Sequence, residues 1–147
     1  MRDIIKFILL LVPFIHPLLL SGCASNADAV VKITYTPPNP ANRTVTRVMD
    51  SVKATALENG FTQLPDVATS TVDDNAPIFV KHFGESKEFI TVAVDGQRHR
   101  VVVTKRWGEE ETAGLAWTKK QVASILKRNG ASNWIIKEEV VHPYKIY

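Results

Sequence analysis

Phe89-Ile90-Thr91-Val92-Ala93-Val94-Asp95-Gly96-Gln97-Arg98-His99-Arg100-Val101-Val102-Val103 is the stretch on which the fold turns. Two runs rich in β-branched residues flank a turn dipeptide, which is the pattern of a β-hairpin. The spacing predicts strands over residues 87–94 and 97–106 joined by a two-residue type I′ turn at Asp95-Gly96. That turn would set Val94 opposite Gln97, Val92 opposite His99 and Ile90 opposite Val101. The other face would then carry Ala93 with Arg98, Thr91 with Arg100, and Phe89 with Val102. Ile78 to Phe83 reads as a further strand, and the turn at Gly84-Glu85-Ser86 leaves its register open.

Outward from the hairpin, two helices are expected. Val45, Val48, Met49, Val52 and Ala56 recur at helical spacing, so a helix is read from Asn42 to Asn59, capped by Asn42 and stopped by Gly60. Thr118-Lys119-Lys120-Gln121 fits a capping box, which starts the second helix at Thr118. Val122, Ile125 and Leu126 form its buried stripe, and Asn129-Gly130 ends it. Trp107 to Ala116, with Glu109-Glu110-Glu111, reads as a loop before that helix. Val30 to Tyr35 is the first strand, Phe61 to Leu64 a short one, and Ser132 to Val141 the last. Pro65 to Pro77 reads as a loop. The order β-α-β-β-β-β-α-β predicts an α+β fold. Its expected form is a two-layer sandwich, two helices on one face of an antiparallel sheet, ferredoxin-like or a variant. The second sheet face must then be solvated, covered by a partner or paired with another copy.

The N-terminus has its own logic. Arg2 and Lys6 precede an apolar run, Phe7 to Leu20, that is shorter than the ~18 to 20 residues a helix needs to cross a bilayer. Pro13 and Pro17 interrupt it, and small residues close it, as in a secretory leader. Leu20-Ser21-Gly22-Cys23 resembles the lipobox of bacterial lipoproteins at all four positions. The resemblance covers only the leader and Cys23. It implies cleavage between Gly22 and Cys23, diacylation of the Cys23 sulfur and acylation of the new amine. Ala24 and Ser25 follow where an aspartate would favour inner-membrane retention, so the resemblance implies sorting to the outer membrane. Cys23 is the only cysteine, so no internal disulfide can form. On this reading residues 1–22 are the signal peptide and 23–29 the lipidated cysteine and tether. Residues 30–147 are then a single domain, of ordinary size at about 120 residues.

Composition is that of a globular domain, 45% apolar and 22% charged, with a formal net charge of only +3. So small an excess does not call for a polyanion, and no nucleic-acid partner is expected. His82, His99 and His142 share no ligand spacing with one another or with carboxylates, so no metal site is expected. Neither a nucleophile elbow nor a glycine-rich phosphate loop occurs, and the expectation is a protein without catalytic residues. No cofactor is expected beyond the covalent lipid on Cys23.

The one constellation with binding chemistry is Gln97-Arg98-His99-Arg100 continuing to Lys105-Arg106-Trp107. Alternation would put Arg98, Arg100 and Arg106 on one face, and Trp107 adds stacking surface. Arginine forks suit phosphate or carboxylate groups. The same residues would equally serve as a charged strand face that resists aggregation. Two functions are therefore expected of the chain. The first is a membrane-anchored, non-enzymatic adaptor or assembly subunit of an envelope complex, facing the periplasm and docking a protein partner. The second is a binding module for an anionic glycolipid or peptidoglycan component through Arg98, Arg100, Arg106 and Trp107.

Overall fold

The structure is a computed structural model and describes residues 29–65, 76–84 and 88–142. The lipobox, most of the loop before Ile78 and the turn after Gly84 lie outside the described residues. In chain order the elements are β1 (Val30–Thr36), α1 (Arg43–Glu58), β2 (Thr62–Gln63), β3 (Ile78–Phe83), β4 (Glu88–Asp95), β5 (Arg100–Arg106), α2 (Ala113–Arg128) and β6 (Ile135–Val141). All six strands join one sheet in the order β2-β3-β4-β5-β1-β6, with every neighbouring pair antiparallel. The fold is α+β.

Helix α1 forms as its sequence demands. The Asn42 side chain accepts from Thr44 N at 3.0 Å and caps the start. Val45, Val48, Met49, Val52 and Ala56 are all buried. Gly60, at φ 76, turns the chain out of the helix. Its N–H donates to Leu57 O at 3.1 Å and Phe61 N to Ala56 O at 3.0 Å, a Schellman closure that seats Phe61 in the core. Helix α2 ends the same way, with Gly130 N on Lys127 O at 3.2 Å and Ala131 N on Leu126 O at 2.8 Å.

One apolar cluster joins both helices to the sheet. Val31, Ile33 and Tyr35 of β1, Ile90, Val92 and Val94 of β4, and Val101 and Val103 of β5 alternate onto that face. Val122, Ile125 and Leu126 of α2 enter it too, as their spacing predicts. Each fully buried side chain of this size is worth about 1.5–3 kcal/mol. The opposite face of β3–β5 carries a smaller cluster, in which Ile78, Ala93 and Val102 lie abreast with Leu64, Ala76 and Val80 against them. This part of the second face is buried within the chain.

Two expectations are corrected. Gly96 does not take the positive φ that a type I′ turn requires. Asp95 instead extends β4 and pairs with Arg100, and Gly96 to His99 form the loop, with His99 at φ 50. Val94 therefore faces Val101 rather than Gln97, Val92 faces Val103 rather than His99, and Ile90 faces Lys105 rather than Val101. On the other face Ala93 meets Val102 and Thr91 meets Thr104, in place of Arg98 and Arg100. The displacement is an even number of residues, so each side chain keeps its face.

The start of α2 also moves. Thr112 is its N-cap, accepting from Leu115 N at 3.3 Å, and Glu109 to Glu111 lie just ahead of the positive end of the helix dipole. Thr118, expected as the cap, is buried inside the helix and donates to Gly114 O at 2.9 Å. A threonine hydroxyl satisfied by the preceding turn does not need a helix terminus.

Candidate functional site

The corrected hairpin divides the four candidate binding residues between the two ends of β5. Arg98 lies exposed in the loop, where its N–H donates to Asp95 Oδ1 at 2.9 Å. Arg100 donates from Nε to Asp95 Oδ2 at 2.8 Å, and the carboxylate it meets is buried. Its guanidinium is engaged in closing the hairpin. Arg106 lies six residues further along the strand, roughly 20 Å away at ~3.3 Å per residue. The structure does not bring Arg98 and Arg100 together with Arg106 and Trp107.

At that second end the chain bends sharply. Trp107 has φ 64, a left-handed conformation uncommon for a bulky residue, and is 48% exposed. Lys105, buried on the opposite face from Arg106, donates to Gly108 O at 3.0 Å, and Gly108 N donates to Ala29 O at 3.3 Å. These bonds hold the bend and place it beside the first described residue of the domain. The Trp107 ring centroid lies 5.0 Å from that of Phe89, and the His82 ring packs against Phe89 at 3.9 Å. An aromatic shelf with Arg106 at its edge thus stands at the end of β5 that lies beside Ala29.

Strand β6, expected from the sequence, carries what sequence reasoning missed, its place at the sheet edge and its exposed apolar side chains. It ends the strand order, and among the described residues nothing pairs with its outer edge. Ile135, Ile136, Val140 and Val141 are 60%, 58%, 44% and 40% exposed, and they are most of the large apolar side chains exposed among the described residues. A long, apolar, unpaired edge strand is a template for pairing with another chain. The available signal was Ile135-Ile136-Lys137-Glu138-Glu139-Val140-Val141 itself, a strand with no alternation, which puts apolar side chains on both of its faces.

Charges fasten β6 to its neighbours. Lys32 of β1 meets Glu139 at 3.2 Å, and Lys137 meets the same carboxylate at 2.7 Å. Those two hydrogen-bonded ammonium groups hold the Glu139 carboxyl below the usual carboxylate range. On the other face Lys119 of α2 reaches Glu111 at 3.0 Å and Glu138 at 3.1 Å, which raise its pKa above the ordinary lysine value. Behind them the Tyr35 phenol is pushed up to about 12, chiefly by burial.

His82 lies exposed on β3, His99 sits in the hairpin loop, and His142 meets Glu109 at 3.3 Å. Among the described residues no three histidine, cysteine or acidic side chains are grouped to hold a metal ion. No helix among them is long and apolar enough to cross a membrane. Set against family models, curated proteins and solved structures, the chain matches none.

Proposed function

We propose that the protein is a lipid-anchored, non-enzymatic adaptor or assembly subunit of a bacterial envelope complex. Cys23 would fix it to the outer membrane with the domain in the periplasm. The single observation that carries the docking part is β6, whose edge, unpaired among the described residues, and four exposed apolar side chains offer strand addition to a partner. The leader and Leu20-Ser21-Gly22-Cys23 support the anchor. Two or more acyl chains hold a protein stably where one does not. We further read the architecture as a two-layer, ferredoxin-like variant. The order β6-β1-β5-β4 with its two intervening helices supports this, β2 and β3 being additional strands on one edge.

Crosslinking in whole envelopes, followed by capture through a tag after Tyr147, tests the proposal. A stoichiometric protein partner that is lost with Cys23→Ala supports it. Recovery of the same partner without the anchor would contradict the part assigned to Cys23.

A second reading, a site for an anionic glycolipid or peptidoglycan group, is favoured by Arg106 and Trp107 beside the entry of the chain at Ala29. It narrows to that end, because Arg100 is held by Asp95. Arg106→Ala should weaken binding to vesicles carrying a phosphorylated glycolipid and flatten its salt dependence. Unchanged binding would end this reading.

A further inference from the structure

We propose that the occupant of the β6 edge is a second copy of this chain, paired antiparallel through a two-fold axis at Glu138. The inference rests on reading β6 as a docking edge and names what docks there. Outward from Glu138, β6 is a palindrome in chemical character. Lys137 and Glu139 flank the centre with opposite charges, Ile136 and Val140 follow, and Ile135 and Val141 close the ends.

An antiparallel pair centred on Glu138 therefore sets Lys137 of each copy against Glu139 of the other. Ile136 meets Val140, and Ile135 meets Val141. Opposed residues share a face of the sheet in such a pair, and every match above obeys that parity. Directly opposed side chains are the unit of strand pairing, with opposite charges and apolar pairs both favourable. The two Glu138 carboxylates meet at the axis, and each already has a Lys119 ammonium at 3.1 Å in its own copy. The pairing gives each of the four exposed apolar side chains of β6 an apolar neighbour across the seam and completes the backbone hydrogen bonds of the strand.

A heterologous strand would not need this symmetry. Charged residues at the middle of an edge also serve to prevent pairing, but that role places no demand on the order of charges. The observed order turns every flanking contact of the two-fold pair attractive.

The test is the mass of the full-length chain, purified from membranes in detergent, measured by light scattering with circular dichroism as the check of folding. The unsubstituted chain should have the mass of two copies. Lys137→Glu and Glu139→Lys each make the opposed charges alike, so each variant alone should fall to one copy. Mixed together, the two variants should pair, because one then offers carboxylates at both flanking positions and the other ammonium groups at both. A chain that is single at every concentration, variants that stay paired, or a mixture that stays single would each overturn the proposal.

Should Glu139→Lys disturb folding through Lys32, Glu138→Cys supplies an independent readout. Opposed Cβ atoms lie about 5 Å apart, so this cysteine should crosslink to its own counterpart. Ile135→Cys, whose counterpart lies at the far end of the paired strands, should not. Equal crosslinking of both, or of neither, would sink the register. If the chain is single yet a different protein is captured at β6, self-pairing fails and the docking-edge reading stands.

Discussion

The Asp95 carboxylate meets the Arg100 guanidinium at 2.8 Å across the last pair of the β4–β5 hairpin, and the same carboxylate accepts from Arg98 N at 2.9 Å. One buried side chain thus closes the strands and shapes the loop between them. Arg100→Ala would leave Asp95 buried without its cation, at a cost of about 3 kcal/mol. Urea denaturation should show this loss, and the pair should hold in salt that screens exposed charges. A loss below about 0.5 kcal/mol would mean that Arg100 is not needed for closure.

Gly114 separates two opposed effects. Alanine in a helix is ordinarily better than glycine by about 1 kcal/mol. Here an alanine Cβ would sit 2.7 Å from Phe83 Cγ, and overpacking of this kind costs about 1–3 kcal/mol. Gly114→Ala should therefore destabilise the domain, read as a lower melting temperature. A rise in melting temperature would show that Phe83 yields freely.

Thr112 and Thr118 should part company. Thr112→Ala removes the bond to Leu115 N and should cost about 1 kcal/mol. Thr112 Oγ1 also bonds the Glu88 carboxylate, which ties the helix start to β4. Thr118→Ser keeps the bond to Gly114 O and should lose only the packing of one methyl group, about 1 kcal/mol or less. The comparison needs only denaturation midpoints. Insensitivity of stability to Thr112→Ala would return the helix start to Thr118.

The pH dependence has two limbs. Tyr35 is raised to about 12, above its ordinary 10.0, so its contribution is complete below pH 10 and is lost as pH rises through about 12. Lys119, also raised, loses its contribution in the same direction as pH climbs past the ordinary lysine range. Glu139 is lowered, so the pairing with Lys32 and Lys137 is complete above the ordinary carboxylate range and is lost as pH falls through the lowered value. Tyrosinate absorbance should show one late-titrating phenol that disappears in Tyr35→Phe. Titration of every phenol near 10 would contradict the buried position of Tyr35.

Much of this architecture was legible in the chain. The stripe from Val45 to Ala56 and the signals at Asn42 and Gly60 are local, and local physics decided them. The hairpin was misread because Asp95-Gly96 satisfies a two-residue turn on paper. A longer loop capped by the Asp95 carboxylate competes with it, and its partner Arg100 is recognisable only once the strands are paired. Thr118 misled for a related reason, since a buried hydroxyl and a capping hydroxyl look alike in sequence. Of the binding constellation, adjacency in sequence suggested adjacency in space, which the length of β5 defeats. The β6 edge escaped notice because exposure of Ile135 and Ile136 depends on where the strand falls in the sheet, a long-range fact.

The anchor is the claim from which the location of this protein follows, and it can be read directly. Mass spectrometry of the N-terminal peptide of the chain isolated from membranes decides it. The account predicts a chain beginning at Cys23, carrying a diacylglyceryl thioether on sulfur and an amide-linked acyl group on its amine. A chain that retains Met1, or one cleaved elsewhere with Cys23 bearing no lipid, would contradict it.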